Sequence, residues 1–453
     1  MVSTLNEQKI SGYFKNKSIL ITGSTGFLGK VLVEKVLRVQ PDVKKIYLPV
    51  RAVNQAAAKQ RVETEVIRKE LFGLLREKHG DGFESFIAEK VVPLAGDMRC
   101  KDFGIDYETL TELRLTHELE VIVNASATTN FYERYDVALD TNVMGVKHMC
   151  NFAKKCPNLD MLLHVSTAYV AGEKQGLVQE RLFQDSETLR DGTHLDIDME
   201  VRLAKNLKKK MDADVYTSPK AQRRAMKDLG LTSSIHSILI GYVKNGHTSF
   251  LANRNLIMDV MPGDMVVNVM MTTMVAHSSS LLEKKKSHLE PNTPMVYHVS
   301  SSLRYPVSYA VLYEAAFRFF KEQPISGLDG RTVLTHKMWF IGNIFFFRLF
   351  MVLRYRLPLE LLHLISVLCC GFFGLDDLYQ ELARKYRHAM QIVDLYGPFA
   401  LFKGCFVDAN LNKLRLAMAN DHGSLFNIDP KTIDWDDYFY RVHLPGVIKY
   451  MLK

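Results

Sequence analysis

The sequence predicts an α/β protein: a doubly wound parallel sheet with helices on both faces, followed by a mainly helical C-terminal domain. Three observations carry that expectation. A short β-branched run near the start, Ser18 to Thr22 (SILIT), ends in a glycine-rich turn and leads into a helical pattern at Lys30 to Val39. Strand-like and helix-like segments then alternate through the first 166 residues, which implies parallel strands joined by crossover helices. Beyond residue 300 the pattern is apolar and helical.

Each element follows from local composition. After the first strand come strand patterns at Lys45 to Val50 (KIYLPV), Lys90 to Leu94, Leu119 to Asn124 (LEVIVN) and Met161 to Ser166 (MLLHVS), with a helix over Asp140 to Lys155. Glu200 to Lys227 is polar and basic and reads as a pair of surface helices. Core-like sequence returns as a helix over Asp259 to Val275 and a late strand over Met295 to Ser300. The expected division is a dinucleotide-binding domain over 1–300 and a helical domain over 301–453.

Composition narrows the function classes. The 453 residues are 47% hydrophobic and 24% charged, the balance of a globular chain large enough for two or three domains. The net charge of +8 is spread along the chain, and its densest run, Lys284 to Lys286, is short, so nucleic acid is not an expected partner. The six cysteines show neither Cys-x-x-Cys nor His/Cys metal spacing, which points to a reducing compartment and to no metal site. The opening residues MVSTLNEQK lack the apolar core of a signal peptide and the Arg-rich face of a transit peptide. Met338 to Leu353 and Leu359 to Leu375 are apolar but carry Arg348 and Glu360, and fall short of the roughly 20 apolar residues of a spanning helix. They read either as buried helices lining an apolar cavity or as a hairpin dipping into one leaflet.

The turn after the first strand reads Thr22-Gly23-Ser24-Thr25-Gly26-Phe27-Leu28-Gly29, a Gly-x-x-Gly-x-x-Gly form of the Rossmann-type fingerprint. Glycines there let backbone N–H groups and the positive helix end approach a pyrophosphate. Where an NAD site places Asp or Glu at the end of the second strand, this chain has Val50-Arg51, and a guanidinium suits the 2′-phosphate of NADPH. Gly96-Asp97-Met98 is positioned to meet the adenine amine with a carboxylate, and Asn124-Ala125-Ser126-Ala127 supplies small residues beside the cofactor.

These sites, with Asn142-Val143-Met144-Gly145 and Val165-Ser166-Thr167-Ala168-Tyr169-Val170-Ala171-Gly172, resemble the extended short-chain dehydrogenase/reductase superfamily. More narrowly, FKNKSILITGSTGFLGKVLVEKVLR, ERYDVALDTNVMGVKHMCNFAKKC, HVSTAYVAGEK and DWDDYFYRVHLPGVIKYML resemble the plant-type alcohol-forming fatty acyl-CoA reductases over nearly the whole chain. The resemblance implies two hydride transfers from NADPH to a long-chain acyl-CoA, through an aldehyde, to a primary alcohol with release of CoA. It also implies the cytosolic side of the endoplasmic reticulum membrane, or the cytoplasm, as its place. Thr167 takes the position of the hydroxyl that binds the carbonyl; a Tyr-x-x-x-Lys helix supplies the proton, its Tyr lowered from a pKa of about 10 by the Lys.

Here the chain departs from the pattern. Tyr216 and Lys220 have the spacing, but Pro219 lies between them, and they precede rather than follow the family-like segment Ala225 to Leu231. Between Leu231 and Asp259 there is neither a Tyr-x-x-x-Lys nor an Arg-Pro, so several dozen residues of the family pattern are expected to be absent there. Tyr13 and Lys17 share the spacing but precede the nucleotide turn. Two readings follow: an NADPH-dependent acyl-CoA reductase, or a catalytically impaired relative that binds NADPH or lipid. A nucleotide-sugar enzyme on the same fold is disfavoured by the apolar C-terminal region.

Overall fold

The computed structural model describes residues 5–451 apart from 113–114, 131–132, 172–174, 184–186, 188–195, 214–217, 233–248, 279–293, 325–338, 369–374 and 419–424. Its centre is a five-stranded, all-parallel sheet built from β1 (Ser18–Thr22), β2 (Lys45–Val50), β3 (Val91–Ala95), β4 (Val121–Asn124) and β5 (Met161–His164). The order 3-2-1-4-5 reverses direction between β1 and β4, and the strand ends at that switch point form the crevice where such folds bind ligands. The Rossmann-type architecture is as the sequence predicts, with the third strand shifted by one residue.

Helices cover both faces. On one, the helices Phe27–Val39 and Gly263–Ala276 bury Leu32, Val36, Val267 and Met271 against Ile19, Ile21 and Val123. Gly263–Ala276 is buried almost all round because helix Ala409–Ala417 lies on its other side, adding Leu411 and Leu414 to the same core. A segment from the expected C-terminal domain therefore completes the first core. On the opposite face, helix Gly145–Ala153 places Met149 and Phe152 over Leu20 and Ile122.

Helix Gly145–Ala153 continues helix Tyr135–Leu139 through a wide turn at Asp140–Met144, so the helical stretch starts earlier than expected. The polar region forms the helices Ile197–Ala213 and Pro219–Thr232, as its composition predicts, both packed on Tyr135–Leu139.

Met295–Ser300 is a correction: it is not a strand. Side-chain carboxylates take its amides instead of a ladder. The N–H of His298 donates to Glu180 Oε1 (2.9 Å) and that of Ser301 to Asp259 Oδ1 (2.9 Å), while Ser300 Oγ donates to Asp259 Oδ2 (2.7 Å). An isolated apolar run cannot reveal that its hydrogen bonds go to distant acids.

The apolar C-terminal segments form the helices Ile344–Met351 and Leu357–Leu368, followed by Leu375–Ala400. Phe347 and Met351 are buried with Ala389 and Val393, but Phe345, Leu361 and Leu368 are 67%, 59% and 72% exposed. Among the described residues, no helix is long and apolar enough to cross a membrane. Lys284 to Lys286 lie outside the described residues.

Candidate functional site

The glycine turn is dictated by backbone contact. Gly23 has φ +72°, and a Cβ on it would lie 2.5 Å from the carbonyl oxygen of Ala125, at the end of the neighbouring strand. A Cβ on Gly29 would fall 2.3 Å from the Gly23 carbonyl oxygen. These two positions admit only glycine without displacement of backbone. Ser24 and Thr25 complete the turn, which the N–H of Gly26 closes by donating to the Gly23 carbonyl (2.9 Å).

Helix Phe27–Val39 starts here with Gly26 as its cap and no side chain capping it, so its first N–H groups point into the crevice. Ser24 Oγ is buried with no partner among the described residues. An uncapped helix end, a cradle that any Cβ would fill and an orphaned hydroxyl fit a dinucleotide pyrophosphate. Leu28 is half-buried against the first core, while Phe27 stays 70% exposed with its ring against Gly263, where a Cβ would lie 2.3 Å from it.

Across the strand ends runs a polar chain that sequence reasoning captured in part. Thr22, Asn124 and His164 are register partners on β1, β4 and β5. Thr22 Oγ1 donates to Asn124 Oδ1 (2.6 Å), which also accepts from the N–H of Ser126 (3.2 Å). Asn124 Nδ2 then donates to His164 Nδ1 (3.0 Å), which leaves the proton of the neutral imidazole on Nε2. Asn124 is fully buried, so its amide acts as a rigid clamp between three strands. His164 was not singled out from sequence; its signal was its position opposite Asn124 at the end of the fifth strand.

Arg51 directly follows β2 and is exposed, with its backbone carbonyl accepting from Arg61 Nη1 (2.8 Å). Asp97 follows β3, but Arg99 holds its carboxylate through Nε (2.9 Å) and Nη2 (2.6 Å). Burial pushes the Asp97 carboxyl up, yet hydrogen bonds and charge from Arg99 outweigh it and leave the group below its ordinary value. Met98 is buried in the second core, where Gly145 makes room for it: a Cβ there would lie 2.7 Å from Met98 Cε. The small residue of Asn142-Val143-Met144-Gly145 thus serves packing. Asn142 clamps the loop after β4, accepting from the Thr128 N–H (2.8 Å) and donating to the Thr128 carbonyl (3.1 Å).

Thr167 stands three residues beyond His164 and opens the turn Ala168–Ala171, its Oγ1 accepting from the Tyr169 N–H (3.3 Å). The hydroxyl proton remains available to a substrate oxygen. Tyr169 packs edge-on against Phe399, Phe402 and Phe406, with its ring 5.3 Å from that of Phe406. Burial, with Tyr309 and Asp259 nearby, raises its phenol well above the ordinary value. It is a packing tyrosine.

The Tyr/Lys pair is not assembled from described residues. Helix Pro219–Thr232 starts with Pro219 in its first position, and Ser218 Oγ accepts from the Ala221 N–H (3.2 Å). Lys220 belongs to that surface helix, whereas Tyr216 lies outside the described residues. Tyr13, the other spacing match, donates to Asp160 Oδ2 (2.8 Å), just ahead of β5 and at the sheet edge opposite the glycine turn.

An open parallel sheet with this turn at its switch point, and a hydroxyl at the end of β5, defines a nicotinamide-dinucleotide-binding reductase. Comparisons with known proteins narrow the class. Two family models, each described as male sterility protein, match residues 21–223 and 354–453. Fatty acyl-CoA reductase 1 of Arabidopsis thaliana is 37% identical over 97% of this chain and 98% of its own length. The alcohol-forming fatty acyl-CoA reductase of Simmondsia chinensis is 34% identical with the same two coverages. The terminal R domain of the myxalamid biosynthetic pathway shares the fold at a TM-score of 0.51 and 15% identity, over 97% of this chain and 92% of that one. The chain belongs to the fatty acyl-CoA reductase family.

The alignments also measure a shortfall. That with Arabidopsis fatty acyl-CoA reductase 1 runs over 500 positions yet spans 97% of 453 residues, or about 439, so about 60 positions of the relative have no counterpart here.

Proposed function

We propose that this chain binds NADPH and a long-chain acyl-CoA in the manner of an alcohol-forming reductase, but that as written it turns substrate over poorly. The observation that carries the first half is the uncapped glycine turn on the same sheet edge as Thr167 and the Thr22–Asn124–His164 chain. When bound, the nicotinamide supplies hydride. Two hydrides and two protons convert the thioester to alcohol and free CoA thiol, with an aldehyde between the steps.

The chain's own residues divide this work. Gly23 to Gly29 hold the pyrophosphate and Arg51 meets the 2′-phosphate. Thr167 donates a hydrogen bond to the carbonyl oxygen that gains charge. Thr167 cannot readily give up a proton, and a donor within hydrogen-bond reach of that oxygen is a geometric requirement before it concerns pKa. The segment that carries the Tyr-x-x-x-Lys helix in the family is the one we infer to be absent between Leu231 and Asp259. The roughly 60 unmatched positions support this, as does the outer face of β5, which no described helix covers. Loss of one oxyanion donor in a comparable site lowers the rate by roughly 10²–10³, and loss of Tyr and Lys together exceeds that.

Purified chain is tested with hexadecanoyl-CoA and NADPH while cofactor binding is titrated separately. The expected result is NADPH binding with little or no alcohol. Activity near that of an intact relative, abolished by Tyr216→Phe, would sink the impaired reading and make Tyr216 the proton donor.

A second reading concerns place. Phe345, Leu361 and Leu368 are exposed on helices that also bear Arg348, Arg354 and Arg356, a composition suited to lying on the cytosolic face of a membrane such as the endoplasmic reticulum. Co-flotation with anionic vesicles, lost when exposed apolar positions are changed to serine, is the expected outcome; absence of flotation refutes it.

A further inference from the structure

A cavity of about 360 Å³, lined among others by Arg304, Asp408, Asn412, Arg415 and Lys431, lies at the start of helix Ala409–Ala417. Its charges are unevenly matched. Arg304 is held by Asp429 through two hydrogen bonds of 3.0 and 2.6 Å. Asp408, at the cap position of the helix, caps nothing and turns its carboxylate to Arg415 Nη2. Lys431 is exposed at the rim. Three cations thus face two carboxylates, each already engaged by an arginine, while the start of the helix is met by Glu180, whose Oε2 accepts from the Asn410 N–H (2.6 Å).

Arg415 is the unusual member. Its side chain is 5% exposed, and Nε and Nη1 have no hydrogen-bond partner among the described residues. Buried donors without acceptors are costly, and an arginine kept only to hold Asp408 would not need to leave two nitrogens unmet. A small shift of the guanidinium towards the cavity would bring its planar fork to an anion, with Lys431 approaching from the rim. That combination suits the oxygens of a phosphate group.

The cavity adjoins the reaction end of the molecule. Val407 and Asp408 directly follow Phe406, whose ring touches that of Tyr169, two residues beyond Thr167. We propose that this cavity is a phosphate-binding site, held by Arg415 and Lys431, that takes the 3′-phosphate of the CoA nucleotide. The choice of CoA rests on the acyl-CoA reading above; a free phosphate anion shares the chemistry.

The experiment titrates CoA, 3′-dephospho-CoA and inorganic phosphate into the full chain saturated with NADP⁺, by calorimetry, for the unmodified protein, Lys431→Ala and Arg415→Gln. CoA is expected to bind at least about ten-fold more tightly than 3′-dephospho-CoA, the scale of one lost charge-assisted contact, and the two variants should close that gap. Arg415 is buried and its variant can fail to fold, whereas Lys431→Ala removes an exposed side chain and keeps the test decisive. Equal binding of the two nucleotides, with phosphate binding that weakens in Lys431→Ala, would support the cavity and assign it to a free anion. Binding of all three ligands unchanged by Lys431→Ala, or no binding of any, would overturn it. NADPH binding is titrated apart: a chain that prefers CoA over its dephospho form but binds no NADPH refutes the proposed function alone, and a chain that binds NADPH but shows no response of any of the three ligands to Lys431→Ala refutes this inference alone.

Discussion

Strands β4 and β5 are hydrogen-bonded neighbours in one sheet, yet their surroundings are opposite. All four residues of β4 are buried, whereas in β5 Leu162 and His164 are exposed and only the side bearing Met161 and Leu163 packs on the first core. Ile122 and Leu162 are register partners on the same face: helix Gly145–Ala153 covers the first, and no described helix covers the second. A parallel sheet is stable because both faces are covered, and among the described residues the last strand lacks that cover on one side. The cofactor half of the site is built from the covered strands. On the proposed reading, the proton-donating half belongs on the side that no described helix covers.

The largest effect expected from this contrast is on turnover. Inserting between Leu231 and Asp259 the corresponding segment of Arabidopsis fatty acyl-CoA reductase 1 should raise alcohol formation by more than about 10³, since it restores both a proton donor and its lysine. Gas chromatography of the products measures it. An unmodified chain as active as the graft would end the comparison.

Stability should divide the two strands next. Ile122→Ala removes a fully buried side chain and should cost about 2–5 kcal/mol in urea unfolding, while Leu162→Ala should cost less than about 1 kcal/mol. In the grafted chain Leu162→Ala should become as costly as a core substitution; similar costs for both in the unmodified chain would show that something already covers β5.

On the covered side, Gly29→Ala forces a Cβ against the Gly23 carbonyl. We expect a loss of about 1–3 kcal/mol in stability together with loss of NADPH binding, followed by quenching of protein fluorescence. Retained affinity would mean that the turn is not the pyrophosphate cradle.

The smallest effect concerns Arg51→Ala, which should weaken NADPH by roughly ten-fold, about 1–2 kcal/mol for an exposed charge-assisted contact, and leave NADH unchanged. A parallel loss for both cofactors would move the 2′-phosphate away from Arg51, with Arg61 as the next guanidinium to test.

The order of residues alone determined the glycine turn, the five strands and the hydroxyl at Thr167, because each is a local pattern whose chemistry lies within a few residues. It also raised the expectation of a defect, because between Leu231 and Asp259 the family-like order leaves no Tyr-x-x-x-Lys. Other features were decided only by the tertiary structure. Met295–Ser300 has the apolar content of a strand, but Glu180 takes the His298 amide and Asp259 the Ser300 hydroxyl and the next amide, that of Ser301. Asp97 looks free to meet an adenine until Arg99 closes on it. His164 gains a role only because Asn124 stands beside it across the sheet, and Leu411 and Leu414 enter the first core from a region that reads as a separate domain. Except for Arg99, which is two residues from Asp97, the deciding partner lies on another strand or tens to hundreds of residues away. Backbone amides and charged groups must be satisfied by whatever the fold brings near, and that is set by packing, which no local pattern contains.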